Sequence, residues 1–116
     1  MRYHNEVIEV REYFDRIGRS PFGKWFLDLD ATTAAKVAVS LKRIELGNLS
    51  NVKSVGGGVH EYKIDFGPGY RIYFGRDGDT LVILLAGGSK KRQANDVANA
   101  KTRWADYKQR KVKELP

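Results

Sequence analysis

Val59-His60-Glu61-Tyr62-Lys63-Ile64-Asp65-Phe66, then Gly67-Pro68-Gly69, then Tyr70-Arg71-Ile72-Tyr73-Phe74-Gly75 are two alternating apolar and polar runs joined by turn residues. Alternation with period two is the mark of a half-buried strand, and glycine and proline supply the tight reversal between them. A second turn at Asp77-Gly78 leads into Thr80 to Ala86. This spacing predicts a three-stranded antiparallel meander, with Gly56-Gly57-Gly58 as the loop before it. Thr80 to Ala86 is apolar on both sides, which suits a central strand covered on both faces.

Upstream, Glu6 to Val10 alternates charged and β-branched residues and reads as a short first strand. Ser20-Pro21 is a helix start, since serine accepts from free backbone amides and proline at the first position loses no bond. Phe22, Trp25, Phe26 and Leu29 then form an apolar stripe. Asp30 can cap a second helix in which Val37, Leu41 and Ile44 share a side, and Gly47 closes it. Two nearly contiguous helices predict a hairpin packed on one face of the sheet. Downstream, Val97, Ala100, Trp104 and Tyr107 mark a last helix starting near Lys91. The expected class is α+β, in the order β-α-α-β-β-β-α, with residues 1–107 as one domain and 108–116 as a basic, flexible tail.

A chain of 116 residues fits one core, and 41% hydrophobic with 30% charged residues is globular composition. The longest apolar run, Leu81 to Ala86, is too short to cross a bilayer, and the first residues carry no secretory pattern. The absence of cysteine excludes disulfides and thiolate metal sites, so a cytoplasmic setting is expected. The formal charge is +7, and residues 90–116 hold nine basic residues against three acids, Asp96, Asp106 and Glu114. That field suits a polyanion or an acidic protein partner, and composition does not separate the two.

Strand alternation sends His60, Tyr62, Ile64 and Phe66 to one side with Tyr70, Ile72 and Phe74, and these apolar sets belong under the helices. Glu61, Lys63, Arg71 and Tyr73 are thereby expected together on an open face, within cross-strand reach. Beyond the last strand, Lys90 adds a cation. Lys91, Arg92, Gln93, Lys101, Lys108 and Arg110 are further candidates for RNA or phosphate contact. Such a set suits metal-free cleavage of RNA by its own 2′-hydroxyl, which DNA lacks. The reaction needs a base, cations to hold the phosphorane charge, and an acid for the leaving 5′-oxygen. Glu61 or Lys63 can be the base, Arg71 with Lys90 the phosphate clamp, and Tyr73 the acid or a stacking surface. The same four residues could simply pair across a solvated face, and alternation by itself favours that plainer reading. His60 falls on the apolar side and His4 stands alone, so no metal site and no cofactor is expected. Neither glycine cluster is followed by the lysine of a phosphate-binding loop.

Three segments carry a resemblance: Gly57-Gly58-Val59-His60-Glu61-Tyr62-Lys63-Ile64, Gly67-Pro68-Gly69-Tyr70-Arg71-Ile72-Tyr73-Phe74, and Leu84-Leu85-Ala86-Gly87-Gly88-Ser89-Lys90-Lys91-Arg92-Gln93. In this order and spacing they resemble the RelE/ParE toxin superfamily, most nearly its HigB-like addiction-module-killer branch. Leu46-Gly47-Asn48 and Asp96 also fall where that branch has them. The resemblance implies a RelE-like, microbial-RNase-like sheet and a type II toxin that cleaves mRNA without a metal, on the 70S ribosome. It also implies neutralisation by a cognate helix-turn-helix antitoxin. Carried over residue by residue, it assigns function to Glu61, Lys63, Arg71, Tyr73, Lys90 and Gln93. Ser89 stands where the branch has aspartate, and Lys63 where it has arginine, so a point charge replaces a two-pronged donor. The C-terminal tyrosine or histidine of some relatives has no counterpart. Two other readings come from the same superfamily: a ParE-like toxin that binds DNA gyrase and cuts nothing, and an inactive binding module.

Overall fold

The computed structural model describes residues 7–114. Its elements are β1 (Glu9–Glu12), α1 (Pro21–Leu27), α2 (Ala31–Glu45), β2 (Val52–Gly56), β3 (Val59–Ile64), β4 (Tyr70–Asp77), β5 (Leu81–Ser89) and α3 (Gln93–Glu114). A 3₁₀ turn over Lys90–Arg92 links β5 to α3. The class is α+β, as the patterning predicts.

The helix starts follow local chemistry. Ser20 accepts from the Gly23 amide at 2.9 Å and Asp30 from the Thr33 amide at 2.7 Å. Gly47 ends α2 with φ of 81°, which costs a residue without a Cβ nothing. Phe22, Val37 and Ile44 pack with Tyr62, Ile64, Ile72, Phe74, Val82 and Leu84, so the hairpin covers one face as expected.

The sheet is larger than the alternation implied. Its order is β1-β5-β4-β3-β2, with β1 parallel to β5 and every other neighbour antiparallel. The strand expected at Glu6 to Val10 lies at Glu9–Glu12, and Glu6 falls outside the described residues. The glycines at 56–58 are not a loop before the sheet but the turn of a further hairpin between β2 and β3. All three have positive φ, of 92°, 63° and 81°. β2 escapes a period-two reading because its register slips between Ser54 and Gly56, placing Val52 and Val55 three residues apart.

The second face is covered too. Ala100 and Trp104 of α3 bury themselves against Val59, Tyr73, Ile83 and Leu85. Gly75 makes this possible: a Cβ there would lie 2.3 Å from Trp104 Cε3, so only a bare Cα lets the indole sit on the sheet. Of residues 108–116, expected as a basic, flexible tail, those up to Glu114 instead continue α3, and the last two lie outside the described residues. Arg110 pairs with Asp106, and Lys111 pairs with Asp77, to which the Tyr107 hydroxyl also donates.

The helix is lashed to the segment after β1 as well. The Tyr13 hydroxyl donates to Asp106 at 2.6 Å, and Arg16 reaches the other oxygen at 3.2 Å. The Tyr13 hydrogen bond, helped by Arg16 and Arg110, holds the Asp106 carboxyl below the usual carboxylate range. A depressed carboxyl stabilises the fold above its unfolded pKa of about 3.9, and this is lost as pH falls through the lower folded value. Tyr13→Phe is expected to cost about 1 kcal/mol at neutral pH. It should also flatten the acid limb of a stability-versus-pH curve, measured by urea unfolding.

Candidate functional site

Register alone brings the chosen residues together. Glu61 lies opposite Tyr73 and Lys63 opposite Arg71 across β3 and β4. Arg71 in turn faces Gly88 of β5, and Lys53 of β2 faces Glu61. The four side chains share one side of the sheet, as expected, but that side is not open. Glu61 is 1%, Arg71 6% and Tyr73 0% exposed, because the first half of α3 lies over them. Lys63 remains exposed at the rim.

Glu61 is the hub. Its carboxylate accepts from Gln93 Nε2 at 2.9 Å and lies 3.6 Å from Arg71 Nε and 3.8 Å from Lys53 Nζ. Arg71 is held by charge rather than by hydrogen bonds, since its Nε and Nη1 have no hydrogen-bond partner. Buried donors are rarely left so, and the cost is tolerated most readily where something else binds. The Gly67–Gly69 turn lies against the same guanidinium. A Cβ at Gly69 would sit 3.7 Å from Arg71 Nη1 and 3.8 Å from Lys90 Cβ, and the Lys90 amide donates to the Gly69 carbonyl at 3.0 Å. Lys53, Glu61, Lys63, Asp65 and Arg71 line a cleft of about 450 Å³ beside this point.

Tyr73 lies deeper. Its hydroxyl has no hydrogen-bond partner, and burial, with the Glu61 charge beside it, pushes its pKa above the ordinary phenol value. A base or ribose cannot stack on it while α3 is seated, which corrects the expectation of an exposed phenol. Asp96, one turn after Gln93, is also buried at 8% exposure, and its Oδ2 is unpartnered. Burial raises its pKa, against the opposing charges of Arg92 and Arg103. Gly88 leaves room for it, since a Cβ there would lie 1.8 Å from Asp96 Oδ2.

The remaining candidates divide. Lys90, Lys91 and Arg92 are exposed on the 3₁₀ turn at the rim. Gln93 is occupied by Glu61 rather than free for phosphate. Lys101 lies along the Gly56–Gly57 turn, at the start of β3, whereas Lys63 is near its end. Lys108 Nζ sits 5.7 Å from the Trp104 ring, and Arg110 is bound to Asp106 and to the Phe14 carbonyl. These three stand apart from the cleft. Sequence reading missed Lys53, on the unrecognised β2. It also gave Asp96 no role, although the four-residue spacing Asp96, Ala100, Trp104 sets a carboxylate on an apolar stripe. Among the described residues no group of three or more His, Asp or Glu side chains could hold a metal ion, and no helix is long and apolar enough to cross a membrane.

Residues 24–107 match the family described as phage-derived protein Gp49-like (DUF891), a span that runs from α1 into α3 and includes the whole cleft. A protein of Haemophilus influenzae, described as uncharacterized, is 42% identical over 81 residues, covering 69% of this chain and 82% of that one. The family is RelE-like and associated with type II toxin–antitoxin systems, the superfamily that the three sequence segments resemble. A match over most of the chain, and a relative this similar, together establish that the chain belongs to the Gp49-like phage-derived family.

Proposed function

We propose that this protein is the toxin of a type II toxin–antitoxin pair of the HigB-like kind, and that it cleaves mRNA on the ribosome without a metal. The observation that carries the reading is the Arg71 guanidinium: Nε and Nη1 have no hydrogen-bond partner, Lys53 and Lys63 line the same cleft, and Lys90 lies against the adjoining Gly69 turn. A phosphodiester is the group that such a cluster of donors accommodates, and a planar guanidinium grips it from two directions. The 2′-oxygen would attack the neighbouring phosphorus while the bond to the 5′-oxygen breaks, leaving a 2′,3′-cyclic phosphate and a 5′-hydroxyl. Glu61 takes the 2′ proton after exchanging its Gln93 hydrogen bond for the ribose. Arg71 and Lys90 hold the phosphorane charge, and the Lys63 ammonium stands at the rim to protonate the departing oxygen. Tyr73, directly across from Glu61 on β4, supports it from the side. The helix-turn-helix antitoxin is the partner this reading requires.

A second reading draws on the burial of Glu61, Arg71 and Tyr73 beneath α3. A gyrase-binding toxin needs no open polar face, and this arrangement would suit one. Mapping transcript ends after induction separates the two: new 5′ ends inside translated codons support the nuclease. Intact messages with falling supercoiling would overturn it.

Lys90 provides the cleanest single variant because its side chain is exposed. Lys90→Ala is expected to lower cleavage by about a hundredfold and to leave unfolding free energy within about 0.5 kcal/mol of the parent. Single-turnover cleavage and urea titration measure the two.

A further inference from the structure

β1 ends at Glu12, opposite Leu84, so beyond that point β5 is paired with β4 on one edge and, among the described residues, with no strand on the other. The gap between α1 and α3 along this edge is a cavity of about 300 Å³, at the small end of ligand sites. Two successive glycines shape it. Gly87 lets Trp25 lie on the strand from one side, where a Cβ would be 2.1 Å from Trp25 Cε3. Gly88 lets the Asp96 carboxylate approach from the other. Tyr70 and Asn99 add an aromatic face and an amide, and Arg103 is pinned there by donating to the Leu85 carbonyl at 2.9 Å. Arg92 is exposed at the mouth.

We infer that this cleft is a nucleobase subsite for guanine, set beside the phosphate site formed by Arg71 and Lys90. The inference rests on the nuclease reading for its physiological strand, but base binding itself does not require cleavage. Asp96 decides the base. It is nine-tenths buried, lines the cavity, and carries an oxygen with no partner in the protein. A buried carboxylate is acceptor-only and is best satisfied by two parallel N–H donors. The guanine N1–H and 2-amino group are such a pair. Adenine and cytosine each set one donor beside an acceptor, and uracil sets its one N–H between two carbonyls. Trp25 and Tyr70 supply the planar surfaces on which a base stacks. Arg92 and Arg103 balance the carboxylate and favour the attached phosphate. Gly88 and Arg71 are cross-strand partners, so base and phosphate sites flank the first turn of α3 on opposite sides.

The test titrates the purified full chain with 5′-GMP, AMP, CMP, UMP and IMP, followed by calorimetry. GMP is expected to bind about tenfold more tightly than the other three bases, and IMP, lacking only the 2-amino group, about tenfold more weakly than GMP. Asp96→Asn should remove the preference for GMP over AMP. Its folding is checked by thermal unfolding, and the IMP comparison needs no variant at all. Equal binding of the five nucleotides, IMP matching GMP, or a GMP preference that survives in Asp96→Asn would each overturn the assignment. A GMP preference with transcripts intact after induction supports the subsite while rejecting the nuclease. Cleavage without any nucleotide preference does the reverse.

Discussion

Replacing Arg71 by alanine is expected to abolish growth arrest and to lower cleavage by about a thousandfold, while also weakening the fold. The two effects have different origins. The first is loss of the donors that meet the phosphorane, for which single-donor removals cost about a hundred- to a thousandfold. The second arises because Glu61 and Arg71 are both buried, and removing one partner strands the other. Gln93 and Lys53 still contact Glu61, so the loss should fall near the lower end of such effects, at about 3 kcal/mol. Arg71→Lys separates them: it keeps the charge beside Glu61 and recovers part of the stability, but lacks the fork that grips phosphate. Cleavage assays on ribosome-bound mRNA and urea unfolding of both variants provide the measurements. Full cleavage by a folded Arg71→Ala protein would remove this guanidinium from the mechanism.

Gly75→Ala carries the largest expected structural effect. The added methyl would meet three indole atoms of Trp104 at 2.3 to 2.5 Å. The ring cannot retreat freely, because a Cβ placed at Gly58 would be only 2.7 Å from Trp104 Nε1, so the indole is held close on that side also. Overpacking of this kind costs about 1–3 kcal/mol, occasionally more, and here it acts on the main apolar anchor of α3. A loss of about 3 kcal/mol is expected, approaching the ~3–5 kcal/mol of deleting a buried tryptophan outright. Hydrogen exchange should show α3 amides opening before those of the α1–α2 hairpin. The double variant Gly75→Ala, Trp104→Leu should regain part of the loss, since the smaller side chain vacates the space. Wild-type stability in Gly75→Ala would mean that α3 does not sit on the sheet in this way.

Both results depend on the helix whose position sequence reading did not anticipate. Its apolar stripe of Ala100, Trp104 and Tyr107 was visible, yet a stripe states only that a helix must be buried, not against which surface. The clue lay in Gly75, Gly87 and Gly88. Within a strand, a glycine often marks the close approach of another group, and here each takes the side chain of a neighbouring helix. β2 was hidden for a different reason. Its bulge breaks alternation, and its three exposed residues, Lys53, Ser54 and Gly56, leave little apolar signal. The parallel pairing of β1 with β5 joins residues some seventy positions apart, beyond the reach of any local pattern.

Period-two alternation and turn glycines were enough to place Glu61, Lys63, Arg71 and Tyr73 on one side of adjacent strands, because side-chain direction in a strand follows from the backbone alone. Helix starts at Ser20 and Asp30 were legible for the same reason, being contacts within three residues. Whether that side meets water is a question of packing between distant parts of the chain. Trp104 resting on the bare Cα of Gly75 draws α3 across the sheet, turning an expected open surface into a buried charge cluster with clefts on either side.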